Sequence, residues 1–443
     1  MEDEGAPGWQ RNNYASMFAV FLLCITFSFT IPFLPLYLKE LDPGLTGQEA
    51  ALWAGIATAL GGVGSFVSGP IWGILGDRYG RKPMLIRACF GGAIGLTAFG
   101  FATSVWQVVA IRTFIGVMAG APAAAMALIA AGTPAQRLPK ALGQFQGATL
   151  GGIALGPVIA AVFIAAFGYR PTFVVAGILM FSGALVTVFM IKEPRRALAA
   201  KPGSGGKSLR TVLRSPLAWA ALMLVLLLSF AAPMVQPILP TYIISLLPSG
   251  VNGTVIIGWI FFGMSAASAI AAVYAGRLIS RAGHQRMLLI AAVGIAVFLI
   301  PMAFVNTVLA LALFAICMSL FQGLLTTSAV SLLPTVVTAA ALSSMFGLYQ
   351  SVQALSSQLG PALGGVIAVQ FGYQAVFIIA AAALMLLGLP MFLVFKRVAA
   401  KYQVEAEPED LHQIHTPFEP EVEAAPDDQI EKSVDSQTPS TGR

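Results

Sequence analysis

Long apolar stretches separated by short polar segments make up most of the chain between residues 15 and 395. Each stretch is close to the roughly 20 residues that an α-helix needs to cross the hydrocarbon core of a bilayer. The pattern therefore predicts twelve membrane-spanning helices, which we number spans 1 to 12. They are expected near residues 15–38, 51–76, 84–103, 106–131, 141–166, 171–191, 216–247, 254–279, 287–306, 309–333, 343–369 and 374–395.

The composition agrees with a polytopic membrane protein. Of 443 residues, 57% are hydrophobic and only 10% are charged, too few to cover the surface of a soluble protein of this length. The spans leave little chain for a catalytic domain, so we expect neither an enzyme nor a cofactor, a metal site or a nucleic-acid partner. The protein is expected to act as a monomer within the lipid bilayer.

Lysine and arginine are concentrated on one side of the predicted spans. The opposite side carries only Lys39 and Arg170. Because positive charge marks the cytoplasmic side, both termini are expected in the cytoplasm, and the protein in the inner (plasma) membrane as a multi-pass protein. The basic positions after even-numbered spans are Arg78, Arg81, Lys82, Arg87, Arg137, Lys140, the segment from Lys192 to Arg214, Arg277, Arg281 and Arg286.

A Gly/Pro-rich basic segment divides the spans into two groups of six, which has the composition of a flexible linker. The last 46 residues hold 3 basic and 11 acidic side chains and too few apolar ones to fold, so we expect a disordered tail. The predicted organisation is a cytoplasmic segment (1–14), a six-helix bundle (15–192), a linker (193–215), a second six-helix bundle (216–397) and an acidic cytoplasmic tail (398–443).

The two groups of six spans resemble each other in sequence. The segment from Ile31 to Tyr37 recurs from Gln236 to Tyr242 with both prolines kept, and residues 143–173 match residues 347–377 without a gap. A duplicated six-span unit, with halves related by an axis along the membrane normal, is one of the known transporter architectures. In that architecture the substrate binds between the halves, near the middle of the membrane.

Two further motifs resemble a known family. Residues 73–82, Gly-Ile-Leu-Gly-Asp-Arg-Tyr-Gly-Arg-Lys, are similar to the loop signature of the major facilitator superfamily, and residues 276–283 hold a degenerate copy. Residues 152–157, Gly-Ile-Ala-Leu-Gly-Pro, resemble the span 5 motif of drug:proton antiporters, although Ala160 and Ala161 stand where glycines are usual. The chain thus resembles the twelve-span drug:proton antiporter family, which includes bacterial multidrug exporters.

The resemblance implies an all-α membrane protein with the major facilitator fold, two pseudo-symmetric bundles of six helices. It also implies a secondary active transporter that exports small amphiphilic organic compounds in exchange for protons by alternating access. Asp77 is expected to close an inner gate against the amino end of span 11, at Ser343 or Ser344. The gating motif comprises Gly73, Gly76, Asp77, Arg78, Gly80, Arg81 and Lys82.

The small residues of span 5 are assigned a mechanical role. Glycines four positions apart allow helices to cross closely, and a proline inside a helix removes a backbone hydrogen bond. Gly152, Gly156 and Pro157 would therefore seal the route between the two halves, although ordinary helix packing would also account for them.

Arg112 is the one charged residue predicted well inside a span. An ionisable group at that depth is costly and marks a functional site by default, unless it extends to the membrane surface. In the family such an arginine is linked to proton handling. Spans 1 and 4 contain no acid in their interiors, so the proton-coupling candidates are Arg112, Asp77 and Glu49.

The substrate cavity is expected among spans 1, 4, 7 and 10 with help from spans 2, 5, 8 and 11. Neutral amides and aromatic rings suit amphiphilic organic compounds. The candidate lining residues are Phe29, Gln144, Gln146, Gln236, Trp259, Phe262, Gln322, Tyr349, Gln350 and Gln353.

Two other functions remain open at this point. An uptake symporter or uniporter for a sugar or organic acid could use the same fold. A non-transporting receptor or scaffold is disfavoured because the linker and tail are too short and polar to form a signalling domain.

Overall fold

The computed structural model of the protein describes residues 8–192, 212–248, 250–337 and 341–405. Within these ranges it does not describe the side chains of Pro70, Asp77, Ala123, Ala135, Pro139, residues 342–344 or residues 401–405. Most of the predicted linker and most of the predicted acidic tail lie outside the described residues.

Within the described residues, twelve helical spans run in the predicted order and no β-strand is present. Eleven spans are long and apolar enough to cross a membrane, whereas span 4 is divided into two short helices. Spans 7 and 12 are also segmented. In order, the helices are Trp9–Leu41, Gly47–Tyr79, Arg81–Phe101, Val105–Val117 with Ala121–Gly132, Leu138–Phe167, Tyr169–Met190, Pro216–Ser229 with Ala231–Val235 and Ile238–Leu246, Thr254–Ala282, His284–Met302, Val308–Leu332, Leu342–Phe371, and Tyr373–Ala383 with Leu384–Gly388 (a π-helical turn) and Leu389–Glu405.

The break in span 4 differs from the continuous helix predicted for residues 106–131. The chain turns at Gly120, whose φ of 121° is unfavourable for residues with a side chain. The Trp72 indole N–H donates to the Val117 carbonyl over 2.7 Å, and Arg87 Nη2 donates to the Ala119 carbonyl over 2.8 Å. Arg87 also lies 3.7 Å from the Trp72 ring centroid. Side chains of spans 2 and 3 thus satisfy backbone groups that the break leaves free.

The sequence repeat corresponds to a repeat of side-chain contacts. Tyr37 in span 1 donates to the Phe99 carbonyl, and its counterpart Tyr242 in span 7 donates to the Val305 carbonyl over 3.2 Å. The Tyr37 ring packs 4.9 Å from the ring of Phe173, while the Tyr242 ring packs against Phe377 in the matching position of span 12. The repeated residues therefore anchor equivalent helix pairs in both halves.

Single glycines connect four pairs of consecutive spans. Gly80, Gly168, Gly283 and Gly372 have φ values of 103°, 81°, 83° and 85°, and each is the sole residue between two helices. Such positive φ angles are accessible to glycine at little cost. This explains the repeated Phe-Gly-Tyr sequence at residues 167–169 and 371–373.

The two halves meet along two equivalent helix pairs, spans 2 with 11 and spans 5 with 8. A Cβ atom on Gly258 in span 8 would lie 2.9 Å from the Pro157 carbonyl oxygen in span 5. In the equivalent pair, a Cβ on Gly55 in span 2 would clash with the Pro361 carbonyl in span 11. These contacts lie near the end of the protein that carries the 42–46 loop, which we name the closed end.

The opposite end carries Arg78, Arg81 and Lys82, and we name it the basic end. There four glycines of the same spans have open space around them. These residues are Gly73, Gly143, Gly276 and Gly347. A Cβ atom added to any of them would meet no atom within 4 Å. The close glycine contacts between the halves therefore lie at the closed end, and these four glycines of the basic end make none.

We expect Gly258→Val to push spans 5 and 8 apart at the closed end, because its side chain would overlap the backbone of Pro157. Spin labels at Phe167→Cys and Val251→Cys in a cysteine-free background would report the separation by electron–electron double resonance. Gly276→Val is the matched control on the same span, since its position faces open space. An unchanged distance distribution in the Gly258 variant would contradict the assignment of this contact.

We also expect Trp72→Phe to destabilise the protein by about 1–3 kcal/mol, because it leaves the partly buried Val117 carbonyl without its donor. A size-exclusion assay after heating would measure the loss of folded protein without depending on tryptophan fluorescence. Trp106→Phe is the control, since the Trp106 side chain is 67% exposed. Equal thermal stability of the two variants would argue against the role given to Trp72.

Candidate functional site

A cavity of about 230 Å³ lies where spans from both halves meet. Spans 1, 2 and 4 form one side and spans 7 and 11 form the other. The lining residues are Phe27, Ile31, Leu34, Ala54, Thr58, Arg112, Gln236, Pro237, Ser357, Gln358 and Pro361. The cavity is therefore apolar toward the amino-terminal half, apart from Arg112 and Thr58, and rich in amide and hydroxyl groups toward the other half.

Among the described residues, Arg112 is the only charged side chain that lines this cavity. It is 5% exposed, and its guanidinium carbon lies 4.6 Å from the Phe27 ring centroid. Its Nε is buried without a hydrogen-bond partner among the described residues. A cation–π contact stabilises by about 0.5–2 kcal/mol, whereas removing a cation from water costs several kcal/mol. Phe27 alone therefore does not compensate for the burial of Arg112.

Two adjacent glycines of span 2 bring Arg112 and Gln358 to the same cavity. A Cβ on Gly61 would lie 3.0 Å from the Arg112 carbonyl oxygen, so the backbones of spans 2 and 4 are in close contact. A Cβ on Gly62 would clash with the side chain of Gln358 from span 11. Gly61 thus positions a residue of its own half, and Gly62 positions a residue of the other half.

The described acidic side chains lie away from the cavity. Glu40, Asp42 and Glu49 are all at the closed end, and none lines the cavity. The Glu49 carboxylate accepts from the Thr46 backbone N–H over 2.8 Å, and the Thr46 hydroxyl accepts from the Glu49 N–H over 3.2 Å. This reciprocal pair is a capping box, which stabilises the start of span 2.

The gating motif lies at the basic end, around the turn between spans 2 and 3. Gly76 approaches span 3, since a Cβ there would lie 3.1 Å from Met84 Cγ. Lys82 Nζ donates to the Val188 carbonyl at the end of span 6 over 2.8 Å. Arg78 lies 5.4 Å from the ring of Tyr79. The basic residues of the motif thus contact the surrounding helix ends.

The predicted inner-gate contact joins Asp77 to Ser343 or Ser344. The side chains of Asp77, Ser343 and Ser344 lie outside the described part of the structure. Arg81 is close to Gly76, with its Nη1 3.6 Å from where a Gly76 Cβ would stand.

The span 5 motif contacts spans 1 and 8 through different residues. Cβ atoms on Gly152 and Gly156 would lie 2.7 Å from Cys24 Cβ and 2.5 Å from Ser28 Cβ, both in span 1 of the same half. Pro157, in contrast, faces Gly258 of the other half. The two glycines therefore pack span 5 within its own bundle, and the residues that follow reach the other bundle.

Of the ten predicted lining residues, Gln236 alone lines the cavity. Phe29 is 1% exposed and Tyr349 is 3% exposed, so both are core residues. In span 1 the cavity is lined instead by Phe27, Ile31 and Leu34, which share one helix face. Residues two positions apart point about 200° away from each other around a helix, so Phe29 faces away from the cavity.

The remaining predicted lining residues are scattered. Gln353 Nε2 donates to the Tyr349 hydroxyl over 3.1 Å, and the Trp259 and Phe262 rings lie 5.8 Å apart. None of these residues borders the cavity. Exposed positions are Gln144, Gln146, Gln350 and Trp259, and half-buried ones are Phe262, Gln322 and Gln353.

The sequence analysis missed Phe27, Ser357 and Gln358. The sequence repeat could have identified Gln358 as a candidate lining residue, because the matching residue of the first half is the apolar Ala154. The same comparison pairs Gln236 with Ile31. An amide that replaces an apolar residue at a matched position inside a span is costly unless it faces a polar site, and both amides line the cavity.

The chain matches the family model described as Major Facilitator Superfamily over residues 16–255 and 248–426. It is 31% identical to multidrug resistance protein MdtG of Dickeya zeae over 87% of this chain and 95% of that protein. It is 32% identical to MdtG of Enterobacter lignolyticus over 86% of this chain and 91% of that protein.

Solved transporters share the fold. A bacterial homologue of the human lysosomal transporter Spinster, in an inward-facing and unoccupied conformation, matches with a TM-score of 0.76 at 14% identity, covering 90% of this chain and 99% of that one. The nucleoside transporter NupG matches with a TM-score of 0.70 at 13% identity, covering 89% of this chain and 100% of that one.

Family and fold both point to a membrane transporter rather than an enzyme. The sequence-based predictions of the superfamily and of its fold are confirmed. The chain belongs to the major facilitator superfamily, within which it is similar to the MdtG multidrug resistance proteins.

Proposed function

We propose that this protein exports small amphiphilic organic compounds from the cytoplasm in exchange for protons, by alternating access. The carrying observation is that spans 2 with 11 and spans 5 with 8 are in close contact at the closed end, whereas four glycines of these spans at the basic end have open space beside them. A cavity lined by spans 1, 2 and 4 of one half and spans 7 and 11 of the other lies beside the contact of spans 2 and 11, so a rocking motion of the halves would move access from one side to the other.

The direction of transport is supported by resemblance. The span 5 motif is similar to that of drug:proton antiporters, and the MdtG relatives are named multidrug resistance proteins. We further propose that the basic end faces the cytoplasm of the inner membrane, with both termini on that side, because lysine and arginine are concentrated there. We propose that the monomer is the transporting unit.

Asp77 is our proposed acid of the inner gate and our first candidate for proton coupling. Glu49 is the second candidate, but its carboxylate caps span 2. Arg112 would contribute to coupling by favouring the ionised form of a carboxyl group that enters the cavity. The apolar face of Phe27, Ile31 and Leu34 would hold the hydrophobic part of the compound.

In everted vesicles we expect an imposed proton gradient to drive accumulation of a lipophilic fluorescent dye. In this geometry the basic end faces outward, so the dye would enter from that side as protons leave. Fluorescence quenching follows accumulation, and vesicles without the protein are the control. Dye uptake that continues after an ionophore collapses the gradient would overturn the proton coupling.

We expect Asp77→Asn to abolish drug resistance in a drug-sensitive bacterial host without lowering the amount of protein in the membrane. The substitution keeps the size of the side chain and removes the charge that the gate requires. Asp42→Asn is the matched control, because Asp42 is an exposed loop residue at the closed end. Unchanged minimal inhibitory concentrations for the Asp77 variant would exclude the gate role.

A further inference from the structure

We propose that the cavity selects compounds that carry one acidic group, a carboxylate, sulfonate or phosphonate, and that this group binds Arg112. The inference deepens the proposed function, on which it rests, by naming the chemical class of the substrate. It follows from the chemistry of the residues that line the cavity, where one buried cation has no counter-charge in the described part of the chain.

The guanidinium of Arg112 is the group that would bind the acid. Arginine has five N–H donors in a fixed planar arrangement that matches the two oxygens of a carboxylate. Arg112 is 5% exposed and lines the cavity, and its Nε has no hydrogen-bond partner among the described residues. Phe27 covers one face of the group at 4.6 Å, which leaves its edge for a ligand.

The described residues that line the cavity include no acid. The described acidic side chains, Glu40, Asp42 and Glu49, lie at the closed end. A positively charged ligand would therefore meet a like charge in a poorly solvated space and find no carboxylate to bind. A neutral ligand would leave the guanidinium without a counter-charge. An anion satisfies both the charge and the unused donors.

The rest of the lining indicates how the ligand would be oriented. Gln236, Ser357 and Gln358 offer neutral donors and acceptors from the second half, opposite Arg112. The apolar body of the compound would lie against Ile31 and Leu34 in the first half. A volume of about 230 Å³ is smaller than the roughly 300–1,000 Å³ of sites for drug-sized ligands, so the cavity suits a small aromatic acid or the acidic end of a larger compound.

Span 11 offers a polar approach to this cavity from the basic end. Gln350, Ser351, Ala354 and Ser357 are exposed and lie on one face of the helix. The Ser351 and Ser357 hydroxyls donate to the Gly347 and Ala354 carbonyls of their own helix, whereas the exposed Gln350 amide would be costly against lipid tails. The amide therefore favours an aqueous opening beside this face. An acidic compound could then reach Arg112 without losing its hydration until it enters the cavity.

Three ligands of one shape but different charge test the proposal at pH 7. They are indole-3-acetate, which is an anion, indole-3-acetamide, which is neutral, and tryptamine, which is a cation. Isothermal titration calorimetry on the purified protein in lipid nanodiscs would give each Kd. We expect the anion to bind at least tenfold more tightly than the amide, and tryptamine to bind most weakly, since charge-assisted hydrogen bonds are the stronger ones.

Two variants of Arg112 test whether this residue causes the preference for the anion. Arg112→Gln should remove the preference for the anion, and Arg112→Lys should keep part of it, because lysine retains the charge but loses the paired donors. Arg286→Gln is the control, since it removes an exposed arginine at the basic end and should change nothing. If the glutamine variant does not fold, the wild-type series and the lysine variant still decide the question.

Equal binding of the anion and the amide by the wild-type protein, or no binding of the anion, would overturn the proposal. So would a preference for the anion that survives in Arg112→Gln. Equilibrium binding needs no gradient, so the two proposals fail separately. Proton-driven dye export without a preference for acids would support the proposed exporter and contradict the acid site. A preference for acids without any export would contradict the proposed exporter and support the acid site.

Discussion

Close backbone contact between helices of opposite halves is the constraint on which the rest of the structure depends. In lipid the hydrophobic effect gives little reason for helices to associate, so close packing of small residues has to do so. Gly55 and Gly258 provide that packing at equivalent positions, each beside a proline carbonyl of the other half. The cavity adjoins the first of these contacts, since Ala54 and Pro361 are among its lining residues.

The two halves share a framework but not a chemistry. Tyr37 and Tyr242 make the same kind of contacts, which fixes equivalent helix pairs in each half. At the cavity, in contrast, Ile31 of the first half is matched by Gln236 of the second. Duplication thus explains the architecture, and divergence at a few inward-facing positions gives the cavity an apolar side, a polar side and one buried cation, Arg112.

Much of the fold could be predicted from the sequence because lipid allows few backbone arrangements. Unpaired backbone groups are so costly in hydrocarbon that a long apolar stretch becomes a helix. The prediction of a continuous span 4 was wrong, because side chains of spans 2 and 3 satisfy backbone carbonyls at a break in this span. Span 4 breaks at Gly120 because Trp72 and Arg87 bind the freed carbonyls, and nothing in the local sequence shows that spans 2 and 3 supply those donors. Arg87 had been assigned only to membrane orientation.

The sequence by itself determined the number and order of the spans, the internal repeat, the family and the presence of a buried charge at Arg112. Each of these features can be recognised from local composition or from a match between segments of the sequence. Only the tertiary structure decided which side of each helix faces the cavity. A shift of two positions, from Phe29 to Phe27, reverses the direction in which a side chain points, and the rotation of a helix is set by contacts with helices far away in sequence. The presence of Arg112 and Gln358 in one cavity is decided in the same way, because it requires the two halves to meet across Gly61 and Gly62.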